Sequence, residues 1–233
     1  MSRGKLLLLP NLLGDLPHHE LFLPASVDKA VESIAGLIAE SEKGGRRFLS
    51  RFKTEKRPHE IPIALLNKHH QDIDFLLEPL QDGETWGLVS DAGLPCVADP
   101  GALLVARARE LGLKIQAFVG PSSVTLSLML SGFTGQSFHF HGYLPKDPKA
   151  RDQKITNMEK DRSTQIFIEA PHRNQKTLEA LVGSLRDQTK LCVAWDLTLP
   201  SQGIVSQNVA VWKKSPLPNV HKKPAIFLLN ANE

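Results

Sequence analysis

The chain has 233 residues, of which 41% are hydrophobic and 23% charged, and its formal net charge is +3. This composition excludes a disordered or fibrous chain and indicates a globular protein of one large or two small domains. The small positive charge permits a nucleic-acid partner without requiring one. Its two cysteines, Cys96 and Cys192, lie far apart without a CxxC motif. They favour a reducing compartment, and we expect a cytoplasmic protein.

Strands and helices alternate in the predicted first half. Lys5–Pro10 is interpreted as a buried strand rather than a signal peptide. A helical stripe begins at Val27, with Ser26 as its N-cap, and residues 36–41 either end that helix or form a strand. The later segments are a basic helix and loop at 42–60, an apolar run at 61–67, a helix at 72–83, a strand at 85–91, a helix at 101–112 and a strand at 114–120.

A break at Val119–Ser123 precedes a second alternation. Its predicted helices cover 124–132, 150–160 and 174–187, and its predicted strands cover 137–145, 164–171, 190–198, 208–212 and 224–230. The predicted fold class is therefore α/β, with two α/β domains over residues 1–119 and 120–233 and mostly parallel or mixed sheets. No apolar run approaches the roughly 20 residues of a membrane span, so no membrane partner is predicted.

Several common catalytic signatures are absent from the sequence. It has no P-loop motif and no G-x-G-x-x-G after the first strand, which argues against a P-loop NTPase and a Rossmann dehydrogenase. His139 and His141 would share one face of a strand, but no third ligand is recognisable, so no metal is predicted. Cys96 lacks a paired motif and is interpreted as a small packing residue rather than a nucleophile.

A basic segment follows the first predicted helix. Its six cations, with only Glu55 among them, are Arg46, Arg47, Arg51, Lys53, Lys56 and Arg57. They form either a solvated helix face or a surface that follows the phosphates of a nucleic acid, and both interpretations remain open. These six are the candidate RNA-binding residues.

One loop has the placement of a ligand site. The residues VSDAGLPCVADPGALLV, 89–105, follow a predicted strand and precede a helix, at the sheet edge where α/β proteins bind ligands. Gly93 and Gly101 allow close approach of the backbone, and Pro95 and Pro100 stiffen the turns. The GPSS turn after the next strand could lie beside it. Two ordinary βα turns are the alternative.

Five motifs in chain order carry a family resemblance. They are VSDAGLPCVADPG, VGPSS, HGYLPKD, FIEAPHR and WDLT. Together they resemble the tetrapyrrole methylase superfamily, and most nearly its branch of ribosomal RNA small subunit methyltransferase I, which methylates ribose 2′-oxygens in small-subunit (16S) RNA. The resemblance implies a methyltransferase that uses S-adenosylmethionine and releases S-adenosylhomocysteine. It also implies ribosomal RNA or the small ribosomal subunit as partner, and a homodimer.

The resemblance also implies which residues hold the cofactor, in a cleft between the two domains. They are Pro10, Asp91, Ala92, Gly93, Leu94, Val97, Ser122, Ser123, Glu169, Ala170, Asp196, Leu197, Thr198, Pro224, Ala225 and Ile226. A ribose hydroxyl must lose a proton during methylation, so Asp91, Glu169 and His172 are candidate catalytic residues. Pro10 and the loop at 13–15, with the basic segment, would face the RNA.

The chain departs from the family pattern in three places. The first loop is LPNLLGD, without the family's threonine and Gly-Asn pair. The family's AEDTR becomes AESEKGGRR, in which Glu40 stays aligned, and the resemblance places a strand at residues 36–41. WDLT has Trp195 and Asp196 where the family has Arg and Glu. These differences leave two alternatives: methylation of a tetrapyrrole or another small molecule, or cofactor binding without activity.

Overall fold

The structure, a computed structural model, describes residues 4–231. The chain divides into two compact units, the first ending at Ser122 and the second beginning at Ser123. Each unit contains one five-stranded sheet. Within the described residues, no helix is long and apolar enough to cross a membrane.

The first unit is built on a parallel sheet. Its strands are β1 Lys5–Leu8, β2 Gly36–Ala39, β3 Ile63–Leu65, β4 Thr85–Leu88 and β5 Lys114–Ala117. They lie in the order β3-β2-β4-β1-β5, and every pairing is parallel. The helices are α1 Ala25–Glu32, α2 Glu42–Leu49, α3 Ile73–Gln81 and α4 Ala102–Glu110, with a 3-10 turn at His19–Leu21. The carboxyl ends of all five strands therefore lie at one edge.

Apolar side chains cover both faces of this sheet. Alternate residues of β1 point to opposite sides, so Leu7 packs with Val27 and Phe48, while Leu6 packs with Leu77 and Leu104. Strands buried on both faces are typical of parallel sheets between helix layers. This packing holds the loops at the carboxyl edge on a rigid base.

The second unit has a mixed sheet. Its strands are β6 Phe138–Tyr143, β7 Thr164–Ile168, β8 Lys190–Trp195, β9 Gly203–Asn208 and β10 Ala225–Asn230, and its helices are α5 Ser123–Ser131, α6 Pro148–Met158, α7 Asn174–Ser184 and α8 Val209–Trp212. The order is β6-β7-β10-β8-β9, with β6 and β7 parallel and the other pairs antiparallel. Phe167 stacks on Phe227 at 5.4 Å between ring centroids in the core.

The predicted α/β class is confirmed, and two local predictions are wrong. Residues 208–212 were predicted as a strand, but Val209–Trp212 is a helix and the strand precedes it. Val209 and Trp212 are both buried, a spacing of three that suits a helix, and the Trp212 indole donates to the Leu191 carbonyl. Ser26 lies inside the first turn of α1, whose N-cap is Pro24. The strand at Gly36–Ala39 resolves the ambiguity left by the pattern.

Candidate functional site

In the first unit, Asn11 joins the loop after β1 to the loop after β4. Its side-chain amide donates to the carbonyls of Ser90 (2.9 Å) and Asp91 (3.0 Å), and its backbone N–H donates to the Gly93 carbonyl (2.8 Å). Asn11 is only 3% exposed. No motif in the sequence marks this residue. Its only signal was its place in the loop that departs from the family pattern.

Arg51 extends this connection to the segment after α2. Its guanidinium Nη1 donates to Asn11 Oδ1 (2.9 Å), and Nη2 lies 3.6 Å from Asp15 Oδ1. Burial lowers the pKa of Arg51, with the Arg47 charge acting in the same direction, yet guanidinium remains charged at neutral pH. We interpret Arg51 as an internal clamp that fixes both loops.

The basic segment therefore contains two kinds of residue. Arg46 also turns inward, because its Nη1 donates to the carbonyls of Pro58 and Ile61, each at 2.6 Å. The remaining four cations are exposed: Arg47, Lys53, Lys56 and Arg57. Among the six candidates, only these four present an uncommitted charge to solvent within the described residues.

Three carboxylates gather at the carboxyl ends of β2 and β4. Glu40 Oε1 accepts the backbone N–H of Asp91 (3.1 Å). Burial raises the pKa of Glu40, and the Asp91 charge adds to the rise against that hydrogen bond. Burial raises the pKa of Asp99 to about 6, helped by the charges of Glu40 and Asp91 and opposed by the neighbouring Ser90 hydroxyl. The sequence of the loop predicts Asp99 as a turn or helix-start residue, and its partial burial has no signal in the sequence.

Cys96 lies in the same loop and is half-buried. Burial, followed by the Asp99 charge, raises the pKa of its thiol. The thiol form is therefore favoured, which is the opposite of what a nucleophilic cysteine needs. The interpretation of Cys96 as a packing residue agrees with this environment.

The amino end of α2 lies very close to Asp91. Ser41 caps the helix by accepting the Gly44 N–H at 3.0 Å. A Cβ added to Gly44 would lie 2.4 Å from Asp91 Oδ1 and 2.9 Å from Ser41 Oγ. Gly44 belongs to the AESEKGGRR segment that replaces the family's AEDTR. The glycine therefore permits a close approach that any side chain would block.

The remaining candidates of the first unit lie around these loops. A Cβ added to Gly93 would lie 3.6 Å from the Pro121 carbonyl, so the loops after β4 and β5 do approach each other. Pro10 contacts the same turn, because a Cβ added to Gly120 would overlap its ring. Asp91, Ala92 and Val97 are exposed, and Leu94 and Ser122 are half-buried.

In the second unit, three strand ends bring most of the other candidates together. Ala225 pairs with Trp195 and Ile226 with Ile168, so the ends of β7 and β8 flank the start of β10. The Asp196 N–H donates to the Pro224 carbonyl at 3.0 Å. The residues gathered at this edge are Glu169, Ala170, Asp196, Leu197, Pro224, Ala225 and Ile226. Ser123 is the first residue of α5.

The loop after β8 has features typical of a ligand site. Asp196 (φ 51°) and Thr198 (φ 72°) adopt the left-handed conformation, which costs a non-glycine residue free energy. The Thr198 hydroxyl is buried and has no hydrogen-bond partner within residues 4–231. Asp196 Oδ2 lies 3.7 Å from Lys223 Nζ. A strained backbone beside an unsatisfied buried hydroxyl suggests that a bound molecule supplies the missing partner.

The other two catalytic candidates have different surroundings. The Glu169 side chain is 1% exposed and pairs with the Arg173 guanidinium, and it also accepts the Ala170 N–H at 2.7 Å. Its carboxylate is therefore held in place by an ion pair and a backbone hydrogen bond. His172 is exposed.

A family model described as tetrapyrrole (corrin/porphyrin) methylases matches residues 22–211. This range covers most of the chain, and it includes the loops around Glu40, Asp91, Asp99, Glu169 and Asp196. The chain belongs to the tetrapyrrole methylase family. The family predicted from the five motifs is thereby confirmed.

The curated relatives agree with the predicted branch, since they are named ribosomal RNA small subunit methyltransferase I. The protein of Pasteurella multocida is 33% identical over 181 residues, which are 77% of this chain and 63% of that protein. The protein of Thermotoga maritima is 28% identical over 221 residues, which are 92% of this chain and 95% of that protein. The chain thus spans less than two thirds of some relatives and nearly all of another.

Solved structures support the fold independently. Diphthine synthase matches with a TM-score of 0.67 at 13% identity, covering 98% of this chain and 90% of that chain. Uroporphyrin-III-C-methyltransferase from Thermus thermophilus matches with a TM-score of 0.60 at 17% identity, covering 99% and 96%. At these identities the likeness concerns the fold alone.

Proposed function

We propose that this protein is an S-adenosylmethionine-dependent methyltransferase that methylates a ribose 2′-oxygen of small-subunit ribosomal RNA. The observation that carries the proposal is the family match over residues 22–211, joined to relatives named ribosomal RNA small subunit methyltransferase I over 77% and 92% of the chain. The loops that the motifs single out are also the loops in which buried carboxylates and strained residues occur.

The donor set fits the proposed cofactor. S-adenosylmethionine carries a sulfonium and an ammonium cation, and the first unit offers the carboxylates of Glu40, Asp91 and Asp99. In the second unit, the unsatisfied Thr198 hydroxyl and the backbone beside Leu197 suit polar groups of a nucleoside. We propose that both sets of loops bind it. When bound, the cofactor supplies an electrophilic methyl group.

The chain's own contribution is orientation and proton acceptance. Holding donor and acceptor in line can lower the barrier by about 7–11 kcal/mol in favourable cases. Asp99 is the carboxylate best suited to accept the ribose proton, because its pKa of about 6 lies close to a neutral working pH. Asp91 stays a candidate beside it, and the Arg173 pairing of Glu169 disfavours that residue.

Binding of the RNA is assigned to exposed cations. Arg47, Lys53, Lys56 and Arg57 give the salt-dependent attraction that a phosphate backbone provides, while Arg51 holds the neighbouring loop. A cytoplasmic homodimer is part of the proposal and is based on the family resemblance.

The test is methyl transfer from labelled S-adenosylmethionine. One arm offers small ribosomal subunits from a strain that lacks the activity, and the other offers a panel of tetrapyrroles. Label in the RNA supports the proposal, and label only in the panel refutes the RNA acceptor. Calorimetric binding of the cofactor without transfer to either would indicate an inactive binding protein. Failure to bind both the cofactor and S-adenosylhomocysteine would overturn the whole proposal.

A further inference from the structure

A cavity of the first unit runs along the face of the sheet, from the first residues of β1 and β4 to Phe118, just after β5. It has a volume of about 360 Å³ and is lined by Lys5, Leu7, Ser26, Lys29, Ala30, Ser33, Thr85, Gln116 and Phe118. Lys5 and Thr85 are the first residues of β1 and β4, whose opposite ends carry the candidate loops. Four residues of strand span about 13 Å, so this cavity begins at the other end of the sheet.

The pleat of the sheet explains why these side chains converge. Lys5 pairs with Thr85 on one side and with Lys114 on the other, and Leu7 pairs with Gln116. Residues paired in register point to the same face, so Lys114 stands beside Lys5 on the face that α1 covers. On α1 and its C-cap, the lining residues Ser26, Lys29, Ala30 and Ser33 have the spacing of a single helix face. Two lysines, Lys5 and Lys29, therefore line one cavity, and Lys114 is paired with Lys5 on the same face of the sheet.

This cavity has positive charge without a matching negative one. None of its lining residues is acidic. Within the described part of the chain, no carboxylate forms an ion pair with Lys5, Lys29 or Lys114, and Glu32 on α1 is exposed. Two neighbouring carboxylates are engaged elsewhere: Glu84 accepts the Trp86 indole N–H, and Asp28 contacts His19, each at 2.7 Å.

Such an arrangement attracts an anion. Like charges directly opposite each other on neighbouring strands repel, which is the case for Lys5 and Lys114. The hydroxyls of Ser26 and Thr85 and the Gln116 amide are neutral donors at the same cavity. Ammonium groups combined with neutral donors form the chemistry that binds a tetrahedral oxyanion.

We propose that this cavity binds a phosphate group, and that in the working enzyme the phosphate belongs to the RNA backbone. The assignment of the phosphate to the RNA backbone rests on the proposed function, whereas phosphate binding itself does not. The cofactor contains no phosphate, so the site is separate from the one that holds it. Because its lysine Lys5 lies at the amino end of the sheet, the cavity would extend the surface along which the protein binds the RNA backbone.

The test compares the wild type with the double variant Lys5→Gln, Lys29→Gln and with Lys176→Gln, an exposed lysine of α7, as the control. In the RNA arm, a small-subunit RNA fragment is bound at about 50 and 200 mM salt. For each phosphate that the double variant no longer neutralises, the ratio of the affinities at the two salts should fall about threefold. In the phosphate arm, inorganic phosphate is titrated against chloride at equal ionic strength.

A reduced salt dependence in the double variant supports the RNA backbone as the source. If only the double variant loses phosphate binding while RNA binding is unchanged, the site binds a free phosphate. That result would refute the assignment to the RNA backbone. No change in either arm overturns the proposal.

A second variant keeps all the lysines. Ser26→Glu places a carboxylate among the residues that line the cavity and should abolish phosphate binding. The protein should stay folded, because an acidic residue in the first turn of α1 favours the helix. Cofactor binding measured by calorimetry should stay unchanged in every variant. If the wild type binds phosphate but neither binds the cofactor nor methylates RNA, phosphate binding by the cavity is supported and the proposed function is refuted.

Discussion

Replacing Asp99 with asparagine should stabilise the protein at neutral pH while slowing its reaction. Folding raises the pKa of this carboxyl from 3.8 to about 6, so the folded state disfavours the charged form. The wild type therefore loses stability as the pH rises from about 4 to about 6, and the loss is constant above that range. A pKa shift of about two units corresponds to a loss of at most about 3 kcal/mol in the free energy of unfolding. We halve this value to about 1.5 kcal/mol because the side chain is only half-buried.

Urea unfolding of wild type and Asp99→Asn between pH 4 and pH 8 measures this effect directly. The stability difference should be near zero at about pH 4 and reach about 1.5 kcal/mol in favour of the variant at about pH 8. Asp82→Asn, at an exposed helix end, is the matched control for removal of one carboxylate. Methyl transfer by Asp99→Asn should fall by about 100-fold or more if Asp99 accepts the proton. A pH-independent stability difference would refute the reasoning about burial.

Three further substitutions test the candidate loops, and Gly183→Ala in α7 is the control for the first of them. Gly44→Ala would force a Cβ to within 2.4 Å of Asp91 Oδ1 and should weaken cofactor binding, whereas Gly183→Ala, in a helix with open space around it, should stabilise by about 0.5–1 kcal/mol. Asn11→Ala leaves several buried backbone groups unpaired and should cost about 2–4 kcal/mol in urea unfolding, and a change below about 0.5 kcal/mol would contradict its role as a connector. Thr198→Gly relieves the φ of 72° and should raise the melting temperature while weakening cofactor binding, and unchanged calorimetric affinity would exclude the hydroxyl from the site.

Periodicity and turn residues were enough to predict the α/β alternation, because most strands and helices carry a local pattern. Residues 208–212 defeated the same method. Four apolar positions fit both a strand and a helical turn, and only the packing of Val209 and Trp212 decides between them. The start of α1 shows a similar limit of prediction from residue type. Ser26 is a favourable N-cap residue, but the N-cap of α1 is Pro24.

The candidate site was predictable where a motif is contiguous and hidden where contacts join distant segments. The DAGLP loop could be singled out from sequence, but the Asn11–Arg51 contact joins residues 40 positions apart. The raised pKa of Asp99 depends on burial and on Glu40, which belongs to another strand end. The sequence likewise shows Arg46, Arg51 and Lys53 only as three positive charges of one segment. In the structure Arg46 and Arg51 form hydrogen bonds inside the unit, and only Lys53 is exposed.

The most direct measurement determines where the transferred methyl group resides. Small ribosomal subunits labelled by this protein from radioactive S-adenosylmethionine would be hydrolysed in alkali, which cannot cleave next to a methylated ribose 2′-oxygen. We predict that the label is recovered in alkali-resistant dinucleotides from the small-subunit RNA. Label recovered in mononucleotides would place the methyl group on a base, and label absent from the RNA would exclude it as the acceptor. Either result would contradict ribose methylation by this protein.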